Sequence, residues 1–388
     1  MVLRLDPDIK HYDWGSDTHI SEFLGQEPSG LPEAEAWFGS YPLSKTTIRD
    51  GGVDEPFGEW LRSRGSNLDI LVKLLAAART LSIQVHPGEL EALQGYAQEQ
   101  DGDIPHDSPH RVFKDPRSKP ELIVALAPDF RLMVGAVDKD LLRRRLTELA
   151  VFRDFFNNSG VSESDFSDAR MFVNWVLRRD SDVLRATEVL RMAIEDHSLA
   201  GMHRELGIDS QTMEMVNSGH PGDPGLLIAV AMHHVTLNIA EALFVAPGVP
   251  HAYVQGFGLE LMLPSDNVVR AGLTSKVVQP ESFLRLANLS GSMYPEIIRP
   301  SGQKGFDLYS SDLLPFELGR VHGGFKPVLL RKDSIILVEN GSLLVGSGDN
   351  QQRINRGAVI FAEASEVIVP GEEQTTAWIA TNGEPQVI

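Results

Sequence analysis

The sequence predicts a mainly β protein with a helical insertion: one β barrel interrupted by a block of helices, then a second β domain at the C-terminus. Three observations predict it. Short apolar runs bounded by Pro, Gly or charge occupy residues 70–126 and return after residue 225; apolar residues at three- and four-residue spacing fill the stretch between them; the last quarter alternates short apolar runs with Gly-containing turns.

In chain order, the N-terminal stretch MVLRLDPDIKHYDWGS interleaves charges with its apolar residues and lacks the continuous apolar run of a secretory signal. No later stretch approaches the ~20 apolar residues of a membrane span. A cytoplasmic protein is therefore expected, and the sequons at Asn157, Asn288 and Asn340 read as chance. Residues 70–75 (ILVKLL), 81–86 (LSIQVH) and 121–126 (ELIVAL) read as strands. From about Lys139 to Glu214 helix formers dominate, as in residues 141–146, 172–177 and 183–186, and the loop GHPGDPG at 219–225 ends that texture. Strands resume at residues 242–245 and 259–263, and from about Gly305 runs such as 334–338, 342–345 and 366–369 suit a sandwich or barrel. The expected division is a barrel of residues 1–137 and 226–310, an insertion of 138–225 and a C-terminal β domain of 311–388.

Composition narrows the function. The 388 residues hold 54 acids, 35 bases and no cysteine, a formal charge of −19. A broad basic face for nucleic acid is not to be expected from that balance, because affinity for phosphate backbones comes from clustered Lys and Arg. An acidic enzyme of small molecules fits it better. Without cysteine there are no disulfides, thiolate metal sites or cysteine nucleophiles, so a metal would rest on His, carboxylate or amide oxygen.

Gln84 and His86 lie two apart in one strand and so share a face, the barrel interior if Ile83 and Val85 pack on the other. Pro87 cannot donate to a ladder and should end that strand, leaving His86 near a barrel mouth. Taken alone, a histidine among apolar residues is more often a hydrogen-bonded core side chain than a ligand. Lys119 and Glu121 share a strand face, by default a surface ion pair, and APGVPHAY at 246–253 delivers His251 from a turn into the next strand. Together Gln84, His86, Glu121 and His251 form the nitrogen and oxygen set that a cysteine-free chain needs for zinc or a similar divalent ion. Just downstream, Glu260, Asp266, Arg270 and Lys276 are spaced among Gly, Leu and Val, a pattern that suits convergence on the same mouth better than a solvated face.

With these motifs the chain resembles the type I mannose-6-phosphate isomerases, also called phosphomannose isomerases. The matching pieces are YDWGS at 12–16, AEAWFG at 34–39, KLLAAARTLSIQVHP at 73–87, FKDPRSKPEL at 113–122, PGDPG at 221–225 and residues 243–276, in family order over roughly residues 1–310. The resemblance implies a cupin-type jelly-roll catalytic barrel with the helices as an insertion, and a second, non-catalytic cupin-like C-terminal domain. It implies one zinc ion per chain on Gln84, His86, Glu121 and His251. It further implies interconversion of mannose 6-phosphate and fructose 6-phosphate through an enediol. Catalytic candidates are Arg270, Lys119, Asp266 and Glu260, with Lys73, Ser82, Tyr253 and Lys276 as substrate contacts; the general base stays open among Glu260, Asp266 and Lys119. The expected partner is a small sugar phosphate, with no nucleic acid or membrane, on a monomer or weak oligomer.

The chain departs from the family at four places. Ser118 stands where a histidine that is a candidate for sugar ring opening is common, Tyr41 where a histidine is usual, and Ile239-Ala240 where Pro-Gly is usual. The pair His233-His234 is unusual and is expected to pack or face solvent. Two competing readings follow: a sugar-phosphate isomerase of shifted preference, and a cupin-type sugar-binding or regulatory protein without catalysis. The full ligand and charged set argues against the second.

Overall fold

The structure is a computed structural model describing residues 1–50, 53–198, 205–310, 312–348, 350–383 and 385–388. An antiparallel sheet system of 11 strands forms the barrel, and the strand His251–Met262 is its spine. Its second half pairs with Leu71–Ala77 on one side and Glu121–Ala125 on the other; its first half pairs with Phe130–Ala136 and, through His251, with Ile83–Val85. One strand thus serves both walls. The register shifts between Tyr253 and Gln255, and Gly256 follows at a φ of 147°, where a Cβ would meet the Phe130 ring at 2.5 Å. Glycine is required at that bend both by conformation and by the close approach.

Leu71–Ala77 is buried along its whole length because both of its faces are covered. Val72, Leu74 and Ala76 pack against Leu318, Ile335, Leu337 and Trp378 of the C-terminal strands, while Leu75 and Ala77 join Ile123, Leu132 and Tyr253 inside the barrel. Lys73 has the parity of Leu75 and therefore points inward. Alternation likewise turns Glu121 inward and Leu122 outward, and on the opposite wall it leaves Ile83, Val85, Ala252 and Val254 to the core of the helical insertion.

That insertion holds the helices Lys139–Glu148, Ala150–Asn157, Ala169–Leu177, Ser181–Glu195, Ser210–Gly219 and Gly225–Val230. Four begin at an aspartate, Asp138, Asp168, Asp180 and Asp209, whose carboxylate accepts from backbone N–H groups of the first turn. Phe155, Phe156, Phe166, Phe172 and Trp175 form its aromatic core. Arg145, 1% exposed, donates to the carbonyls of Leu206, Gly207, Val230 and Met232 and so ties the insertion to the barrel strand Met232–Leu237.

The C-terminal unit stacks a nine-stranded sheet on a five-stranded one, with Ile336, Ile360 and Ile379 of the first against Val328, Leu343, Ile354 and Ile368 of the second. Two features differ from the sequence reading. Val2–Asp6, expected in the barrel, pairs instead with Val359–Ala362, and Thr47–Asp50 and Val53–Pro56 extend the same sheet. Alternating Leu3 and Leu5 look the same in any half-buried strand, so the sequence carries no mark of this long-range partner. The strand-like stretch 70–126 also contains the helix Glu89–Asp101, whose narrow buried stripe, Ala92 and Gly95, leaves little apolar periodicity to read. Among the described residues no helix is long and apolar enough to cross a membrane.

Candidate active site

A cavity of about 470 Å³ opens at the barrel mouth. Lys73, Ser82, Gln84, Lys119, Glu121, Tyr253, Glu260, Asp266, Arg270 and Lys276 all border it, and His86 and His251 stand behind Gln84 and Glu121. All twelve residues singled out in the sequence are therefore brought together.

At the cavity floor, Glu121 Oε1 lies 3.3 Å from His86 Nε2 and Glu121 Oε2 lies 3.3 Å from His251 Nε2. His86 Nδ1 donates to the Asn267 carbonyl at 2.7 Å, and His251 Nδ1 donates to the Val249 carbonyl at 3.0 Å. With Nδ1 committed to a carbonyl, each ring turns its Nε2 toward the carboxylate. Burial, with the Lys119 charge adding to it, pushes the His86 pKa down to about 4, so its contact with Glu121 is not an ion pair near neutral pH. Burial acts to raise the Glu121 carboxyl, but the Lys119 ammonium 2.9 Å away and the two imidazoles hold it well below the ordinary range. His86 Nε2 and Glu121 Oε2 are buried without hydrogen-bond partners, and the Gln84 amide lies 3.2 Å from His251 Nε2. Ligand atoms of His86, Glu121 and His251 within 4.8 Å of one another, with His86 Nε2 and Glu121 Oε2 lacking partners, are what a cation resolves. The donor set fits a zinc-class ion.

Above the floor runs a chain of buried polar groups. Tyr253 donates to Glu260 at 2.9 Å, Glu260 pairs with Lys73 at 2.8 Å, and Lys73 lies 3.9 Å from Glu35, which accepts from Trp37 Nε1 at 2.7 Å. Burial raises the Glu260 carboxyl; Lys73 opposes and the nearby Glu121 charge adds to the rise. Burial alone would lower Lys73, but Glu260, Glu35 and Glu121 outweigh it and keep the ammonium charged. On the far wall, burial lowers Arg270 against the attraction of Asp266, and burial together with Arg270 lowers Lys276.

Asn267, 0% exposed, holds the two ends of this site in register. Its side chain accepts from the Lys114 N–H at 2.6 Å and donates to the carbonyls of Asp115 at 2.8 Å and Arg117 at 2.9 Å, while its own carbonyl orients His86. Ser265 and the Asp266 N–H bind the Asp115 carboxylate at 2.9 and 2.8 Å, so the loop leading to Lys119 is clamped by the segment that carries Asp266.

Sequence reasoning did not single out Glu35, Trp37 or His220, which also border the cavity. Glu35 and Trp37 are two apart on a strand, the same inward-facing signal that revealed Gln84 and His86. Ser118 does not border the cavity. His234 accepts from the Asp209 N–H at 3.1 Å and donates to the Ala229 carbonyl at 3.0 Å, and His233 lies against the Tyr294 ring, so the pair packs the seam between barrel and insertion.

A family described as phosphomannose isomerase type I, catalytic domain, matches residues 2–136. The mannose-6-phosphate isomerase of Shigella flexneri is 29% identical over 383 residues, 94% of this chain and 95% of its own. That of Salmonella typhimurium is 32% identical over 297 residues, 71% of this chain and 72% of its own. The chain belongs to the type I mannose-6-phosphate isomerase family. Crystal structures of family members share the mainly β, cupin-type fold through both β units. A phosphomannose isomerase mutant from Salmonella typhimurium superimposes with a TM-score of 0.82 at 25% identity, covering 98% of this chain and 100% of that one. A zinc-bound mannose 6-phosphate isomerase gives 0.81 at 25%, covering 98% and 99%.

Proposed function

We propose that this cavity interconverts mannose 6-phosphate and fructose 6-phosphate through an enediol, with one zinc ion held by Gln84, His86, Glu121 and His251. The observation that carries the reading is the pair of imidazole Nε2 atoms facing the Glu121 carboxylate at the floor of a cavity walled by charged side chains. Its relatives' shared name and the zinc-bound family structure support it. When bound, zinc supplies a Lewis acid that polarises substrate oxygens without redox chemistry.

The rest of the chemistry falls to the side chains. An aldose becomes a ketose when a proton leaves carbon 2 and one returns to carbon 1, so a single base serves both transfers. Asp266 is the base we assign: its carboxylate makes no hydrogen bond or ion pair among the described residues and borders the cavity beside Arg270 and Lys276. Lys119, paired with Glu121 at 2.9 Å, is set up as a donor to the developing enediolate rather than as a base, and Arg270 adds positive charge from the other wall. Glu260, pushed up by burial, holds and returns the proton that moves between the two substrate oxygens, with Tyr253 and Lys73 fixing its carboxylate. Lys276, Ser82 and Arg270 form a cationic and hydroxyl-bearing wall suited to the phosphate.

A monomer or weak oligomer and, for an enzyme of a phosphorylated sugar, a cytoplasmic location complete the proposal. Metal content measured alongside a coupled fructose 6-phosphate assay tests the proposal. A purified protein that binds zinc and forms fructose 6-phosphate is expected; one that does neither overturns it.

A further inference from the structure

Mannose 6-phosphate exists in water chiefly as a closed pyranose, a hemiacetal with no carbonyl and no acidic carbon 2 proton. An enzyme working through an enediol must first break the bond between carbon 1 and the ring oxygen. That step removes the proton from the anomeric hydroxyl and delivers one to the ring oxygen, so a group that both accepts and donates near neutral pH has to reach both atoms. Ser118 does not border the cavity, and Asp266, Lys119 and Glu260 are assigned to the later transfers.

His220 is the side chain that the cavity wall offers for this step. Outside the metal set it is the one histidine bordering the cavity among the described residues, and it comes from the insertion rather than the barrel. Its Nε2 lies 2.8 Å from the Thr80 carbonyl, which can only accept, so Nε2 carries the proton and Nδ1 is the atom left to offer. The loop that holds it is tied to the barrel mouth. Asp223 accepts from the N–H groups of Gly225 at 2.7 Å and Leu273 at 3.0 Å, and a Cβ at Gly225 would meet the Leu273 nitrogen at 2.8 Å, which fixes the loop against the segment leading to Lys276.

We propose that His220 opens the sugar ring, an inference that rests on the isomerase reading above. Nδ1 takes the proton from the anomeric hydroxyl as the oxygen's electron pair forms the carbonyl; the bond from carbon 1 to the ring oxygen breaks with its electron pair on that oxygen, and the imidazolium returns the proton there. Ring and open aldehyde are isomers, so no other reactant is consumed. The Thr80 carbonyl, already bonded to Nε2–H, stabilises the transient imidazolium.

The test compares wild type with His220→Gln, whose amide nitrogen can still donate to Thr80, and with His220→Asn, using mannose 6-phosphate carrying hydrogen or deuterium at carbon 2. A drop in kcat/KM of about 10²-fold is expected with zinc content and melting temperature kept. The deuterium effect on kcat/KM is expected to stay at or below the wild-type value, because the slowed step precedes removal of the carbon 2 proton. Unchanged kcat/KM overturns the proposal. So does a loss with an enlarged isotope effect, which marks a defect in binding or enolisation, and so does loss of zinc or of a cooperative melt in both variants, which assigns His220 to the fold. A wild-type protein without isomerase activity is the separate failure of the reading on which this one rests.

Discussion

The barrel and the C-terminal sandwich are both built from antiparallel sheets whose strands alternate inward and outward residues, yet they fill their interiors with opposite chemistry. Between the sandwich sheets lie Ile336, Leu343, Ile360, Ile368 and Ile379, each 0% exposed. The inward positions of the barrel carry Lys73, Glu121, His251 and Glu260, nearly as deeply buried but polar or charged. Alternation is identical in the two units; what occupies the inward register decides whether a β unit stores stability or performs chemistry. The barrel tolerates its polar interior because Lys73 pairs with Glu260 and Lys119 with Glu121, and because Val72, Leu74, Leu122 and Val124 on its outer face pack on the C-terminal strands.

The contrast is most easily broken at the cavity floor. His251→Ala and Glu121→Ala are expected to lose bound metal and with it at least about 10³-fold in isomerase activity; a metal-free His251→Ala protein with full activity would remove the zinc assignment. Converting the barrel toward sandwich chemistry is the sharper test. In the double variant Lys73→Met with Glu260→Leu, activity should vanish while urea melts show a smaller loss of stability than in either single variant, since replacing both partners leaves neither charge of the pair uncompensated. A loss as large as in the single variants would show that the pair holds the barrel together. Arg270→Ala should lower kcat by about 10²-fold with zinc still bound, and unchanged kinetics would take Arg270 out of the site. In the sandwich, Leu343→Ala should cost about 3 kcal/mol in a denaturant melt and leave kcat per folded molecule intact.

The smallest effect belongs to the seam. Burial, with Arg145 adding to it, pushes His234 down to about 4 from its ordinary value of 6.5. The unfolded chain therefore binds the extra proton first, and the stability this ring contributes is complete above pH 6.5 and is lost as pH falls toward 4. Melts at neutral pH and near pH 5 should show His234→Gln losing about 2 kcal/mol less than wild type over that interval.

The site was legible in the sequence to an unusual depth because its signals are local: Gln84 and His86 share a strand face, Pro87 ends the strand, and Glu260 to Lys276 forms one continuous stretch. What stayed hidden depends on distant partners. Nothing near Val2–Asp6 marks its pairing with Val359–Ala362, and nothing near His220 shows that its loop docks beside Thr80. Asn267 reads as one polar residue in a motif until its five neighbours are in place.

The pairing of Val2 with Ala362 has a consequence for how the molecule is made. The strand Val2–Asp6 finds Thr47–Asp50 soon after it in the chain, but its other edge must wait for the distant Val359–Ala362. Loop closure over that span is slow, and the waiting strand presents an open edge. Trimming the chain to its catalytic barrel would make the delay permanent, because Leu3 and Leu5 would lose the strand they pair with and Val72, Leu74 and Leu122 the surface they pack on. The C-terminal unit, which among the described residues contributes none to the cavity, is in that sense what seals both the edge of Val2–Asp6 and the outer face of the barrel.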